Sequence, residues 1–228
     1  MQITWLGHST LALTLSAGEV VLIDPFITGN PTFPKGHPID RCDAILLTHG
    51  HSDHLGDTPS LAKRFNPQVL AIHELAVWLE GQGIARVTGM NKGGTADLGY
   101  LRATMTHAQH SSSTTGNVYL GEAAGFVVDA DGRRVYFAGD TNAFGDMRLI
   151  AELHGPLDLA VIPIGDLYTM GPQEAAHACR LLRPNAVLPI HWGTFPMLTG
   201  TPQDFAAQLA DLPGTKVLTP SPGQTITI

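Results

Sequence analysis

The stretch Thr48-His49-Gly50-His51-Ser52-Asp53-His54 decides how this chain is read. It follows Ala44-Ile45-Leu46-Leu47, an apolar run with the length and bounds of a buried strand. Within six residues it then sets out His49, His51, Asp53 and His54, three imidazoles and a carboxylate. A core buries such groups only at high cost, and a solvated loop has no use for so many. A metal ion has, because neutral imidazole and carboxylate suit zinc, manganese, iron and nickel. One stretch supplies only part of a coordination sphere, so further ligands are expected elsewhere.

Three later segments share one grammar, an apolar strand ending in a metal-competent residue. Leu101–Thr106 leads into His107-Ala108-Gln109-His110-Ser111-Ser112, Arg134–Ala138 into Gly139-Asp140-Thr141, and Ala186–Ile190 into His191-Trp192. Strand ends suit ligands because a rigid sheet fixes them while adjoining loops shape a cleft.

The rest of the chain reads as two rounds of one pattern. Residues 2–6, 10–15 and 19–23 are strands, 44–48 another, followed by a helix from the Thr58-Pro59 N-cap pair to about Asn66. Val69–Ile72 is a strand and His73–Gly81 a helix; residues 84–107 hold short strands around Asn91-Lys92-Gly93-Gly94. Residues 117–129 and 133–138 pair through the Asp131-Gly132 turn. Helices at 146–153 and 172–182 and from Pro202 then alternate with strands at 157–162, 185–190, 215–219 and 224–228. Strands first and strand–helix alternation second, twice over, predict an α/β chain of two sheets with helices on their outer faces, in one domain spanning 1–228.

At this point the residues carry a family resemblance. His49-x-His51-x-Asp53-His54, followed in order by His110, Asp140 and His191, resembles the metallo-β-lactamase superfamily. Trp5-Leu6-Gly7-His8-Ser9, Ile23-Asp24-Pro25-Phe26, Pro163-Ile164-Gly165-Asp166 and His191-Trp192-Gly193-Thr194-Phe195-Pro196 narrow it. They resemble the short metal-dependent hydrolases related to L-ascorbate-6-phosphate lactonase. The resemblance implies a four-layer αββα sandwich with a dinuclear site at one edge. It assigns His49, His51 and His110 to a first metal, Asp53, His54 and His191 to a second, and Asp140 to both. His107 competes with His110, which is favoured because small residues, Ser111-Ser112, follow it. The resemblance thus implies two divalent ions, zinc first, and since no cysteine stands among these ligands manganese and iron stay open. His8, Asp24, His107, Tyr168 and Trp192 are candidates for substrate contact or for support of a ligand. Asp24 is read as orienting a ligand histidine, since ligating imidazoles usually give their second N–H to a carboxylate or carbonyl.

Composition narrows the partners. A formal charge of −7 with no basic run argues against nucleic acid and anionic membrane surfaces. The N-terminus lacks a basic segment followed by an apolar one, and no apolar stretch nears the ~20 residues of a membrane span. A cytoplasmic protein is expected, with Cys42 and Cys179 as reduced, buried thiols. The resemblance leaves a homo-oligomer open.

The chemistry expected is metal-assisted hydrolysis. A water shared by two metals ionises near neutral pH, Asp53 orients it, and the hydroxide attacks a small-molecule lactone, ester or phosphodiester. Two other classes stand beside it, an iron-dependent redox enzyme of the dioxygenase kind on the same fold, and a non-catalytic metal-binding protein.

Overall fold

In the computed structural model, which describes residues 1–228, period-two alternation sorts the central strands between two surfaces. Strands β1 (Gln2–Trp5), β2 (Leu11–Thr14), β3 (Val20–Ile23), β4 (Ala44–Leu46), β5 (Gln68–Ile72) and β6 (Val87–Met90) lie side by side in chain order. The first three are antiparallel and the last four, from β3 on, parallel. The second sheet runs through β7 (Thr95–Asp97), β8 (Arg102–His107), β11 (Ala124–Ala130), β12 (Arg133–Phe137), β13 (Leu159–Pro163), β14 (Ala186–Ile190) and β15 (Lys216–Val217). It too is antiparallel up to β12 and parallel beyond. A small hairpin, β9 (Ser113–Thr114) with β10 (Val118–Tyr119), stands apart, and β16 (Thr225–Thr227) closes the first sheet beside β1.

Phe126, Val128, Val135, Phe137, Val161 and Leu188 face inward and join Leu13, Leu22, Ile45 and Leu70 of the first sheet in one core. Their alternates Val127, Tyr136, Ala160, Ile162 and Val187 face outward and are covered by α4 (Met147–His154), α5 (Pro172–Leu182) and α6 (Pro202–Gln208). On the other side α2 (Thr58–Phe65) and α3 (His73–Gly81) bury Leu61, Ala62, Leu75 and Leu79. The layers are helix, sheet, sheet, helix. No helix is long and apolar enough to cross a membrane.

Three local expectations change. The strand expected at 117–129 is two: Gly121 takes a φ of 82° between β10 and β11, and only β11 pairs with β12. Thr58 is not the N-cap of α2 but its first residue. Asp57 precedes it, its carboxylate engaged by the backbone N–H groups of Ile27 and Thr28 at 2.8 and 2.7 Å instead of capping the helix. Within the histidine stretch, Ser52–Leu55 form a helical turn, α1, that the polar sequence does not announce.

Candidate metal centre

Both sheets end their parallel strands at one edge, and the candidate residues are delivered there. Asp24 follows β3, Thr48 and His49 follow β4, Asp140 follows β12, and His191 follows β14. The turn of α1 lifts Asp53 and His54 over the same edge. His110 comes from the loop after β8, and His8 from the turn between β1 and β2.

Asp140 Oδ2 lies at the centre. It stands 3.1 Å from His191 Nε2, 3.2 Å from His54 Nε2, 3.7 Å from His110 Nε2 and 4.0 Å from His49 Nε2. On one side the donor atoms of His49, His51 and His110 lie within 4.8 Å of one another. On the other, those of Asp53, His54 and His191 do so together with His8. His49, His51, Asp53, His54, His110, Asp140 and His191 are therefore all brought together. His107 is not: its Nδ1 is 3.1 Å from Lys92 Nζ and its ring packs edge-on against Phe144. Trp192 also turns away, stacking on Trp5 and donating to the Pro189 carbonyl at 3.0 Å.

Asp24 explains how two of the histidines are oriented. It is buried, and its Oδ2 accepts from Thr48 Oγ1 at 2.6 Å and from His54 Nδ1 at 2.8 Å, while Oδ1 accepts from the Thr48 backbone N–H at 2.8 Å. A hydroxyl has one proton, and that of Thr48 goes to Asp24; so Thr48 Oγ1 accepts from His49 Nδ1, 3.0 Å away. Asp24 thus holds the proton on Nδ1 of His54 directly and of His49 through Thr48. The sequence pointed to Asp24; the Thr48 link, Ser111 on the cleft wall and Ser112, whose Oγ receives the Gly50 N–H at 3.0 Å, carried no separate signal.

Opposite charges at the centre hold one another in their ionised forms. Burial would raise the Asp140 carboxyl, but His191 and His54 outweigh it and hold it well below the usual carboxylate range. Burial would likewise lower His54, yet Asp140 and Asp24 hold its imidazole well above the usual histidine range. His49, His51 and His110 are pushed down, chiefly by burial, and so are neutral imidazoles with a lone pair to offer.

The residues fit a bound cation. His54 Nε2, His191 Nε2 and Asp140 Oδ1 are buried with no hydrogen-bond partner, since the short approaches to Asp140 are not aligned for donation. Native proteins seldom leave such atoms orphaned, and a bound cation, displacing the proton from His54 Nε2, would give them partners. Beside them lies a cleft of about 360 Å³ lined by His51, Asp53, His110, Ser111, Asp140, Tyr168 and His191.

A two-sheet αββα sandwich with a histidine–aspartate cluster at the shared strand edge defines a metal-dependent hydrolase of the metallo-β-lactamase kind. Residues 19–192 match the Beta-lactamase superfamily domain. The chain is 51% identical over 230 residues to a UPF0173 metal-dependent hydrolase of Solibacter usitatus, with 99% of each chain covered. Igni18, a novel metallo hydrolase from the archaeon Ignicoccus hospitalis, superposes with a TM-score of 0.87 at 34% identity, covering 99% of this chain and 97% of that one. CmlA, a diiron β-hydroxylase from Streptomyces venezuelae, shares the fold at 16% identity, with a TM-score of 0.77 over 100% of this chain and 54% of that one. The chain belongs to the metallo-β-lactamase superfamily and, within it, to the UPF0173 metal-dependent hydrolases.

Proposed function

We propose that this chain hydrolyses small, uncharged lactones or esters at a site built for two divalent cations. The observation that carries the reading is Asp140 Oδ2 standing 3.1–4.0 Å from four imidazole nitrogens that separate into two groups. His49, His51 and His110 would hold one cation, Asp53, His54 and His191 the other, and Asp140 both. Zinc is the first expectation, and an all-nitrogen-and-oxygen donor set accommodates manganese or iron as well. Bound there, the cations would supply a hydroxide at neutral pH and stabilise negative charge on the substrate oxygen.

The chain's own residues do the rest. Asp24 and Thr48 keep the histidine lone pairs aimed. Asp53 orients the attacking hydroxide and, once the acyl–oxygen bond has formed, passes the proton that hydroxide carries to the leaving alkoxide as the acyl C–O bond breaks. Tyr168, more than half exposed at the mouth, is placed to meet the substrate.

Substrate class follows from what the cleft wall lacks. None of its residues is Lys or Arg. A phosphate remote from the reacting bond needs a cationic clamp, so a sugar-phosphate lactone is disfavoured against a neutral one. A phosphodiester, whose anion would sit at the cations themselves, is the comparison class. The test is the purified protein, loaded with zinc or manganese, on γ- and δ-lactones, p-nitrophenyl acetate and bis-p-nitrophenyl phosphate. Turnover of the neutral substrates is expected. Silence on all of them at full occupancy sinks the reading, and iron with oxygen consumption would favour the redox class.

A further inference from the structure

The turn between β1 and β2 places a histidine where backbone geometry resists one. Gly7 and His8 take φ values of 89° and 52° in succession, and a Cβ on Gly7 would come within 2.7 Å of the Thr32 carbonyl. Left-handed conformations at non-glycine residues persist where the surroundings demand them, often at working sites. His8 is also wholly buried. Its backbone carbonyl accepts the His191 N–H at 3.1 Å and Trp5 Nε1 at 2.9 Å, and its ring lies 4.0 Å from that of His191 and 5.7 Å from that of His54. The first turn of one sheet is thereby clasped to the end of β14 in the other, beside the candidate metal centre.

The imidazole is bonded at both nitrogens. Nε2 is 3.0 Å from Asp53 Oδ2, and Nδ1 is 2.9 Å from Thr194 Oγ1. An ionised carboxylate only accepts, so Nε2 carries the proton, and in a neutral ring Nδ1 must then accept the Thr194 hydroxyl proton. The alternative, donation from Thr194 to the Trp192 carbonyl, spans a poorer 3.5 Å. The relay has one direction: Thr194 to His8 to Asp53. Unlike Nε2 of His54 and of His191, which are buried without partners, Nε2 of His8 is already engaged. It supports the carboxylate and is not left free to ligate.

We propose that His8 is a positioning residue for Asp53, holding its carboxylate toward His54 and His191 through a relay whose polarity the carboxylate sets and whose far end the Thr194 hydroxyl anchors. The proposal rests on the assignment of Asp53 to the second cation and to proton transfer. Cobalt binding tests it without any substrate. Stripped protein is titrated with Co²⁺ and followed by visible absorption, and kcat and KM for p-nitrophenyl acetate are measured alongside. His8→Ala is expected to keep the first equivalent unchanged, to weaken the second about 10–100-fold, and to lower kcat by a similar factor with KM little moved. His8→Gln, whose amide N–H can reach the same carboxylate, should recover most of both, and Thr194→Val should fall between.

Because His8→Ala also empties a buried site, His8→Gln and Thr194→Val carry the decision. Second-site affinity within about twofold of the parent in Thr194→Val would overturn the proposal. So would a His8→Gln loss as deep as that of His8→Ala, or a cobalt spectrum showing one nitrogen ligand fewer, which would make His8 a ligand. If the parent binds two Co²⁺ but hydrolyses no ester, the functional reading fails while the cobalt result still decides the part played by His8.

Discussion

Asp24 shows how much one buried carboxylate can govern. Its backbone is left-handed, with φ at 44°, a conformation asparagine tolerates at least as well as aspartate. Asp24→Asn therefore changes the charge and half the acceptor capacity while sparing the turn. With Oδ2 shared between Thr48 and His54, the substitution should weaken both cations about 10–100-fold, as measured by chelator competition. Loss confined to the His54 side would refute the link through Thr48 to His49. The two thiols are the opposite case, residues buried with no part in the chemistry. Burial pushes Cys42 and Cys179 up to about 12, and both are unpaired. At pH 8 roughly one in ten thousand would be thiolate. Ellman's reagent should find no fast thiol in the folded protein and two after denaturation; a fast thiol would mean that one of these sites opens readily.

Elements were legible where a single physical signal dominated. The strands at 44–48, 69–72 and 185–190 are apolar runs with turn residues on both sides, and the structure has β4, β5 and β14 there. Gly171-Pro172 opens α5, and the Thr201 hydroxyl caps α6 by accepting the Asp204 N–H at 3.1 Å. Where two signals competed, the reading slipped. Asp57 and Thr58 are both good caps, and tertiary demand from the Ile27–Thr28 loop took the carboxylate of Asp57 away from the helix. The turn of α1 has no apolar periodicity at all, because its residues serve the centre. Gly139, just after β12, packs tightly against Thr48 of the other half: with φ at 62°, an added Cβ would lie 2.7 Å from Thr48 Cβ and 2.9 Å from the Ala124 carbonyl. Gly139→Ala is expected to cost about 1–3 kcal/mol in overpacking and strain. It should also weaken cation binding, because Thr48 and Asp140 flank the contact. A melting curve and a chelator titration check both, and an unchanged Tm would show that the strand ends give way easily.

At the scale of the whole molecule, the twofold pattern of antiparallel strands followed by strand–helix alternation was readable because each half must bury one face of a sheet against the other. How the halves meet was not, since no local pattern records that His8 and His191 share a hydrogen bond or that Asp140 lies among histidines of both sheets. Those contacts make the centre a joint between the two sheets. His49, Asp53 and His54 come from the first half of the chain, Asp140 and His191 from the second, with carboxylate–imidazole contacts and orphaned nitrogens between them. Cations bound there stabilise only the folded arrangement, in which all these donors converge. At a free concentration 100 times its Kd, each cation contributes about 2.7 kcal/mol. In a chain of this size each kcal/mol moves the midpoint by roughly 2–4 °C. The zinc- or manganese-loaded protein should therefore melt about 5–10 °C higher per filled site than the same protein after chelation. Alanine at Asp140, which faces both groups, should remove nearly the whole increment, whereas alanine at His51, on one side alone, should leave the second site's share. Equal melting temperatures with and without metal would mean that the two sheets are joined by their apolar core alone and that the edge cluster binds no cation.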